Sequence, residues 1–278
     1  MPMPNDLRIA AVVFHSRADS PAVNLERTVA WAQKAAAAGA DLVFFPELNI
    51  TGYDISPNAR PLSETIPGPT SRSLAEAAAA FKITLLAGLV ERGTAAGQAF
   101  ATQLVAVPGA AVQVYRKLHL PPPEIGRYTA GEQVPLFTTK GWQFGVQLCY
   151  DAHFPELSTC MALAGADLIL MPHASPRGSP ATKLASWCRH LPARAFDNGV
   201  FVAAVNQVGA NGRGLLFPGL AVAIGPSGAI LAQTLSTEEA MLRVDLKRSD
   251  LEDIREHRMR YFLARRRADL FGPLMPPG

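Results

Sequence analysis

Residues with the chemistry of acyl transfer stand far apart in the sequence: a cysteine, two glutamates and a lysine. Cys149 follows an apolar run and opens CYDAHFPEL, in which Pro155 suits the first turn of a helix. This pattern predicts a short strand-to-helix turn, which exposes a thiol and directs backbone N–H groups at an oxyanion. The alternative is a buried structural cysteine. We assign Cys160 and Cys188 to that class because both fall within helical segments.

The acids and the lysine each have two interpretations when taken alone. Glu47 ends the apolar run FFPEL, where a carboxylate is costly to bury without a partner. It therefore pairs with a cation, accepts protons, or is an exposed acid at a strand end. Lys117 lies in VYRKLHLP and Glu124 follows the prolines at 121–123. Without further information these two are equally a surface lysine and a loop acid.

Apolar runs alternate with longer helical patterns, and these elements must position the four residues. The pattern predicts strands at 8–14, 41–45, 83–90, 101–107, 144–149, 167–171, 200–206, 220–224 and 241–245. It predicts helices at 22–38, 71–81, 155–164, 180–197 and 250–264, with N-cap signals at Ser20, Thr70 and Ser249. This alternation is typical of an α/β fold in which helices cover the sheets.

An internal repeat links two of these regions. Residues 39–47 read GADLVFFPE and residues 165–173 read GADLILMPH. In each copy a helix ends at a glycine suited to the left-handed conformation, a buried strand follows, and a polar residue succeeds a proline. The repeat predicts two related halves with pseudo-twofold symmetry. Glu47 and Cys149 then both lie at strand ends, where α/β folds place ligand sites.

Taken together, three blocks resemble the signature motifs of the nitrilase superfamily, the carbon–nitrogen hydrolases. The blocks are FFPELNITGYD around Glu47, YRKLHL around Lys117 and GVQLCYDAHFPE around Cys149. The resemblance continues through EIGRYTAG, GADLILMPHAS, LPARAFDNGVFVAAVNQVG and FPGLAVAIGPSG to YFLARRRADLFG, so it covers nearly the whole chain. It implies one domain over residues 1–278, folded as a four-layer α-β-β-α sandwich.

The resemblance also implies a role for each residue. Cys149 would be the nucleophile, Glu47 the general base and Lys117 the cation that stabilises the tetrahedral intermediate. Glu124 would be the second glutamate, which positions the substrate and the triad, and the backbone N–H of Tyr150 would join the oxyanion site. The reaction would proceed through a thioester and would need no metal or organic cofactor. Members of the family usually form homodimers or larger homo-oligomers, and a C-terminal docking tail is expected at about 250–278.

The branch of the superfamily is less sharply marked. The Cys149-Tyr150-Asp151 sequence is closer to amidases than to true nitrilases, and Ala152 and His153 stand where N-carbamoyl D-amino acid hydrolases carry arginines. We therefore expect a stand-alone amidase, with a carbamoyl-amine hydrolase, a nitrilase and a non-catalytic scaffold as alternatives. The expected substrate-binding residues are Tyr53, His153, His173 and Ser175. A structural role is equally expected for His173, and core packing is favoured for Trp187.

Other classes of protein fit poorly. The chain has 278 residues, of which 49% are hydrophobic and 18% charged, which excludes a disordered chain. It contains no G-x-S-x-G motif, and GPSG at 225–228 reads as a hairpin turn, while GANGRG at 209–214 lacks dinucleotide-binding spacing. A net charge of +3 does not by itself indicate nucleic acid, although the segment from Arg255 onward carries +4.

Location and partners follow from the remaining features. No apolar run reaches the roughly 18 residues that span a bilayer, and MPMPNDLRIAAVVFH has no basic region before its apolar stretch, so we predict neither a membrane span nor a signal peptide. Three cysteines with gaps of 11 and 28 residues fit no zinc or redox spacing. We therefore expect a cytoplasmic protein whose partners are a small-molecule substrate and further copies of itself.

Overall fold

The computed structural model describes residues 6–18, 20–56 and 62–271. The strands are β1 (Leu7–Val13), β2 (Leu42–Phe44), β3 (Thr84–Arg92), β4 (Ala99–Ala106), β5 (Gln113–Arg116), β6 (Phe137–Thr139), β7 (Trp142–Val146), β8 (Leu168–His173), β9 (Phe201–Asn206), β10 (Gly209–Ala210), β11 (Leu216–Phe217), β12 (Gly219–Ile224), β13 (Ile230–Ser236) and β14 (Ala240–Leu246). The helices are α1 (Pro21–Ala37), α2 (Pro69–Phe81), α3 (Pro155–Leu163), α4 (Pro180–Trp187), α5 (Leu191–Asn198), α6 (Arg248–Arg255) and α7 (Ala268–Phe271). Single 3-10 turns cover Pro122–Glu124, Cys149–His153 and Leu263–Arg265.

Two six-stranded sheets form the centre of the fold. The first has the order β14-β1-β2-β3-β4-β5, and the second has the order β6-β7-β8-β9-β12-β13. Read in these directions, the successive pairings of both sheets are antiparallel, parallel, parallel, antiparallel and antiparallel. The agreement at every step confirms the two related halves that the sequence repeat predicts.

Strand β1 shows how one strand serves two layers. Ile9, Ala11 and Val13 lie in the core that joins the two sheets, whereas Ala10 and Val12 pack with buried residues of α1 and α2 on the opposite face. This alternation follows from the two-residue period of a strand. Residues of α3 and α5 pack on the second sheet: Leu157, Met161, Leu191 and Ala195. The four-layer α-β-β-α fold is therefore confirmed.

Proline and glycine define the ends of several helices. Helices α1, α2, α3 and α4 each begin at a proline, whose fixed φ suits the first turn and whose missing N–H is not needed there. Gly39 and Gly165, which follow α1 and α3, have φ of +79° and +103°, as the repeat predicts. The GPSG segment forms the predicted hairpin, with the Gly225 N–H donating to the Ala229 carbonyl at 2.9 Å.

Several predicted boundaries are wrong. The helix predicted at 180–197 is two helices, because Pro192 cannot continue a helix and α5 begins anew at Leu191. The last predicted helix ends at Arg255 instead of 264. Ser20 is the N-cap of α1, but Gly68 and Lys247 cap α2 and α6, so Thr70 and Ser249 lie inside their helices.

The sequence pattern did not predict some short strands and one strand at a sheet edge. Strands β5 and β6 contain four and three residues, and β13 alternates between exposed and half-buried positions at the sheet edge. Such strands carry a weak apolar pattern because they bury little surface.

The C-terminal region docks partly on its own chain. Arg255 contacts Asp167 at 2.6 Å and Arg248 contacts the same carboxylate at 2.9 Å. Leu263 is buried in the main core. The expected docking tail at about 250–278 thus begins with an intramolecular contact, and its residues 272–278 lie outside the described residues. No helix in the described part of the chain is long and apolar enough to cross a membrane.

Candidate active site

The four expected catalytic residues stand on connections that follow strands. Glu47 comes after β2, Lys117 directly after β5, and Cys149 three residues after β7, while Glu124 ends the 3-10 turn Pro122–Glu124. The exposed fractions of Glu47, Lys117 and Glu124 are only 0%, 1% and 1%. The interpretations of these residues as an exposed acid, a surface lysine and a loop acid are therefore excluded.

Lys117 joins the two glutamates. Its Nζ donates to Glu47 Oε1 at 2.7 Å and lies 2.9 Å from both carboxylate oxygens of Glu124. Tyr53, which is buried, donates its hydroxyl to Glu124 Oε1 at 2.9 Å. One ammonium thus faces two carboxylates at buried positions. Because like charges repel strongly there, a proton on one carboxyl group balances the cluster.

The pKa values reflect this imbalance. Burial, followed by the negative charge of Glu47, raises the pKa of Glu124 to about 7, against the effects of Lys117 and Tyr53. Burial opposes the charged form of Lys117, but the charges of Glu47, of Cys149 in its thiolate form and of Glu124 outweigh it and hold the lysine pKa above its ordinary value. Lys117 is therefore a permanent cation, whereas Glu124 exchanges its proton near neutral pH.

Cys149 faces the same cluster. The residue is half-buried and has a φ of +46°, a strained conformation for a residue with a side chain. Burial of the thiol and the charge of Glu47 raise its pKa above the usual range, while Lys117 and the backbone N–H of Ala174 act in the opposite direction. The thiol is therefore protonated at neutral pH, and its conversion to a nucleophile requires a base.

Glu47 is held from the second sheet by two residues to which the sequence analysis assigned no role. The N–H of Ala174, just after β8, donates to Glu47 Oε2 at 3.2 Å, and the Gln207 side chain donates to the Glu47 carbonyl at 2.8 Å. The same Ala174 N–H also lowers the pKa of the Cys149 thiol, so one backbone donor interacts with both the carboxylate and the thiol. A backbone donor leaves no trace in residue types, so no sequence signal could have found it.

Asp151 was also missed, and it joins the lysine segment to the cysteine turn. The carboxylate is fully buried and accepts from the Leu148 N–H at 3.0 Å and the Tyr115 hydroxyl at 2.7 Å. Its other oxygen accepts from the backbone N–H of His119 and lies 2.8 Å from His119 Nδ1. Lys117 and Cys149 each lie two residues from a member of this network, which fixes their separation.

The expected pocket residues have different environments. His173 is buried, with Nδ1 donating to the Met171 carbonyl at 2.7 Å and its ring 4.3 Å from that of Trp187. Burial lowers the pKa of His173 to about 3, so the ring is neutral. His153 is exposed at a ring distance of 4.6 Å from His190. Trp187 is buried in the main core, as expected.

Ser175 lies beside the site through its neighbour Ala174. Its backbone N–H donates to Asn206 at 2.8 Å, and its hydroxyl oxygen accepts from Lys183 Nζ at 2.8 Å. The Tyr150 ring contacts Phe154 edge-on at 5.5 Å. Lys183 is a further residue that sequence reasoning missed, because a single lysine in a helix carries no distinctive pattern.

The two other cysteines differ from expectation. Cys160 and Cys188 are both free and exposed, so their interpretation as buried structural residues is wrong. Cys160 lies on the outward face of α3 and Cys188 caps α4, where helical periodicity turns them away from the core. Among the described residues, no group of three or more His, Cys, Asp or Glu side chains is arranged to hold a metal ion. A cavity of about 710 Å³ beside Glu91 and Arg116 includes none of the four expected catalytic residues.

Comparisons with known proteins identify the family of this chain. The family model for carbon-nitrogen hydrolases matches residues 8–256. The (R)-stereoselective amidase of Pseudomonas sp is 29% identical over 269 residues, covering 96% of this chain and 93% of that protein. The omega-amidase of Mus musculus is 30% identical over 260 residues, covering 89% of this chain and 91% of that protein.

A solved structure is similar along the whole chain. It is a mutant of the amidase from Nesterenkonia sp. AN1 that shows covalent addition of the acetamide moiety of fluoroacetamide at the active site cysteine. The TM-score is 0.80 at 29% sequence identity, and the match covers 99% of each chain. The same amidase is described as a member of the nitrilase superfamily. The chain therefore belongs to the carbon-nitrogen hydrolases of the nitrilase superfamily and is an enzyme that acts on carbon–nitrogen bonds other than peptide bonds.

Proposed function

We propose that this enzyme hydrolyses a small amide to a carboxylic acid and ammonia through a thioester on Cys149. The observation that carries the proposal is the single buried cluster in which a protonated thiol meets two carboxylates and one ammonium. The cysteine adduct of the related amidase and the amidase names of two relatives support it.

In the acylation step, Glu47 acts as general base. It takes the proton of the Cys149 thiol while the sulfur forms a bond to the amide carbon, and the carbonyl electron pair moves onto oxygen. Lys117 and the backbone N–H of Tyr150 stabilise that oxyanion. When the carbonyl re-forms, the C–N bond breaks and Glu47 gives its proton to the departing nitrogen. The products are ammonia and a thioester on Cys149.

Deacylation uses the same base on water. Glu47 takes a proton from the water, whose oxygen bonds to the thioester carbon, and collapse of the adduct breaks the C–S bond. Glu47 returns the proton to sulfur, and a carboxylic acid leaves. Glu124 positions Lys117 and the substrate through its contacts with Lys117 and Tyr53. We assign substrate contacts to Tyr53, His153, His173 and Ser175.

The nucleophile can be tested with a matched pair of cysteine variants. Cys149→Ala should abolish ammonia release from small amides, whereas Cys160→Ala removes an exposed thiol and should retain the wild-type rate. Mass spectrometry with a slow substrate should find the acyl adduct on Cys149 and on neither Cys160 nor Cys188. Turnover by Cys149→Ala, with circular dichroism like that of the wild type, would refute the assignment.

A carbamoyl-amine hydrolase and a nitrilase are the alternatives within the superfamily. All three substrate classes place an electrophilic carbon bonded to nitrogen before the thiol, so the cluster alone does not separate them. Parallel measurement of ammonia and carbon dioxide does, because only carbamoyl substrates release carbon dioxide. A non-catalytic scaffold is the remaining alternative, and intact Glu47, Lys117, Glu124 and Cys149 argue against it.

We also propose a cytoplasmic homo-oligomer in which residues 1–278 act as one catalytic domain. The three unpaired cysteines suit a reducing compartment. Met259 and Phe262 are exposed in the C-terminal region, where contact with a second copy would cover them. Light scattering should give at least a dimer, and Met259→Ser should shift it toward the monomer. Because Arg255 binds Asp167 within the chain and Leu263 is buried in the main core, truncation should begin after Leu263, and it should weaken self-association.

A further inference from the structure

A second lysine lies beside the proposed active site. Lys183, in α4, is half-buried, and its Nζ donates to Ser175 Oγ at 2.8 Å and to the Pro176 carbonyl at 3.1 Å. Ser175 directly follows Ala174, whose N–H binds the Glu47 carboxylate at 3.2 Å. The Lys183 ammonium is thus anchored to the same segment that holds the proposed base.

Among the residues that the structure describes, no opposite charge binds Lys183. An ammonium has three N–H donors, and here two neutral oxygens accept from it. Across the described ranges 6–18, 20–56 and 62–271, no carboxylate forms an ion pair with it. A partly buried cation without an opposite charge is unfavourable, and burial lowers the pKa of Lys183, while the charge of a Cys149 thiolate acts in the opposite direction.

The surrounding groups do not supply an anion either. Glu47 and Glu124 both bind Lys117. Arg194 donates to the carbonyl oxygens of Ala152 and His153, and the charges that act on it are those of Asp197 and Glu156. Lys183 therefore offers one ammonium N–H together with the hydroxyl hydrogen of Ser175. These two donors match the two oxygens of a carboxylate.

We propose that Lys183 binds a carboxylate at the far end of the substrate, so that the preferred substrates are monoamides of dicarboxylic acids. The inference rests on the proposed amidase function and specifies its substrate class. Cys149 and Lys183 are close enough for their charges to interact, so a substrate with its amide carbon at Cys149 would direct a carboxylate at its far end toward Lys183. Ser175 then contributes a hydrogen bond to the same carboxylate.

The test uses pairs of substrates that differ only in charge. The probes are the monoamides of succinic, glutaric and adipic acids, each compared with the ω-hydroxy amide of the same chain length. Wild-type enzyme should prefer the carboxylate member of at least one pair, with an optimum at one length. In Lys183→Met the ratio of kcat/KM within that pair should fall on the order of 10- to 100-fold, mainly through KM. The ratio is independent of the amount of active enzyme.

Two controls sharpen the result. Lys247→Met removes the same charge from an exposed lysine that follows β14, and it should leave the ratio unchanged. Lys183→Arg keeps the charge and should retain most of the preference. An unchanged ratio in Lys183→Met, with ω-hydroxy amides still hydrolysed, overturns the role of Lys183 and leaves the amidase proposal intact. If wild-type enzyme hydrolyses neither class of amide, the amidase proposal itself fails.

Discussion

Glu47 and His173 occupy the same place in the two halves of the molecule. Each follows the proline of a GADL repeat at the end of a central strand, and each is almost fully buried. Glu47 remains a charged partner of Lys117 at 2.7 Å. His173 is neutral, because burial lowers its pKa to about 3 even though the hydrogen bond from Nδ1 to the Met171 carbonyl acts in the opposite direction. The same position of the fold is thus occupied by a carboxylate paired with a cation in the first half and by a neutral imidazole in the second half.

The difference shows that the repeat reproduces the scaffold and leaves the chemistry to neighbouring residues. The first half places Lys117 opposite Glu47, so the cost of burying a carboxylate is offset by an ion pair. Around His173 the nearby charges of His190, His153 and Lys117 are positive when present, and they oppose protonation further. The first sheet therefore supplies the proposed acid–base groups, and the second sheet supplies the proposed nucleophile and a neutral histidine.

The largest expected effect comes from removing the cation of the charged half. Lys117→Met leaves two buried carboxylates without a cation, so we expect a loss of about 3–5 kcal/mol in the free energy of unfolding and no detectable amide hydrolysis. Urea denaturation measures the first and ammonia release the second. Lys140→Met, at an exposed lysine paired with Asp41, should cost less than about 1 kcal/mol. Equal stability losses in the two variants would contradict the pairing argument.

The second prediction compares variants of Glu47 and His173, the residues at the two equivalent positions. Glu47→Gln keeps the shape of the side chain but removes the proposed base, so kcat should fall by about 10² to 10⁴. His173→Asn alters a neutral wall and should change KM more than kcat. Steady-state kinetics on one amide compares both variants. A similar fall in kcat for the two would mean that the halves do not divide the chemistry in this way.

The sequence predicted the parts of the site that depend on strand order and residue type. Glu47 and Cys149 follow apolar strands, and the GADL repeat relates the two halves to which those strands belong. The resemblance added Lys117 and Glu124. The central strands were also predictable, since they are buried on both faces and form continuous apolar runs.

The remaining parts depend on contacts between distant segments. Lys183 and Asp151 are common residue types whose roles arise only from what packs beside them. The Ala174 backbone donor has no side-chain signature at all. Cys160 and Cys188 were predicted to be buried but are exposed, because membership of a helical segment does not specify which face a residue occupies.

A smaller effect concerns stability at low pH. The unfolded chain protonates His173 near pH 6.5, whereas the native pKa is about 3. Between these values the unfolded state binds more protons, so the stability that neutral His173 provides is complete above pH 6.5 and is lost as the pH falls. From pH 7 to pH 5 the loss is about 2 kcal/mol. His173→Asn should lose less stability over this range when thermal unfolding is followed, whereas His257→Asn, at an exposed histidine, should behave like the wild type.

Glu124 contributes a pH dependence of stability with the opposite sign, which the same thermal unfolding experiment measures. Its pKa is raised to about 7 in the native state, so between pH 4.5 and pH 7 the native state binds more protons than the unfolded chain. The stability contribution of Glu124 is therefore present at low pH and is lost as the pH rises through 7. Glu124→Gln removes this opposing contribution between pH 4.5 and pH 7, so its Tm should fall more steeply than that of the wild type as the pH drops from 7 to 5. Parallel shifts in the two variants would disprove the contrast between the halves.

The smallest expected effect lies where the halves meet. Tyr115 comes from the first sheet and donates to Asp151, whose same oxygen accepts from the Leu148 N–H in the second half. Tyr115→Phe removes one hydrogen bond to a buried carboxylate, so we expect a loss of about 1.5 kcal/mol in the free energy of unfolding. Because Asp151 keeps its bonds to Leu148 and His119, the cysteine turn stays in place and kcat should change less than the stability does. If kcat instead falls as much as it does in Glu47→Gln, this one hydrogen bond is what aligns Lys117 with Cys149.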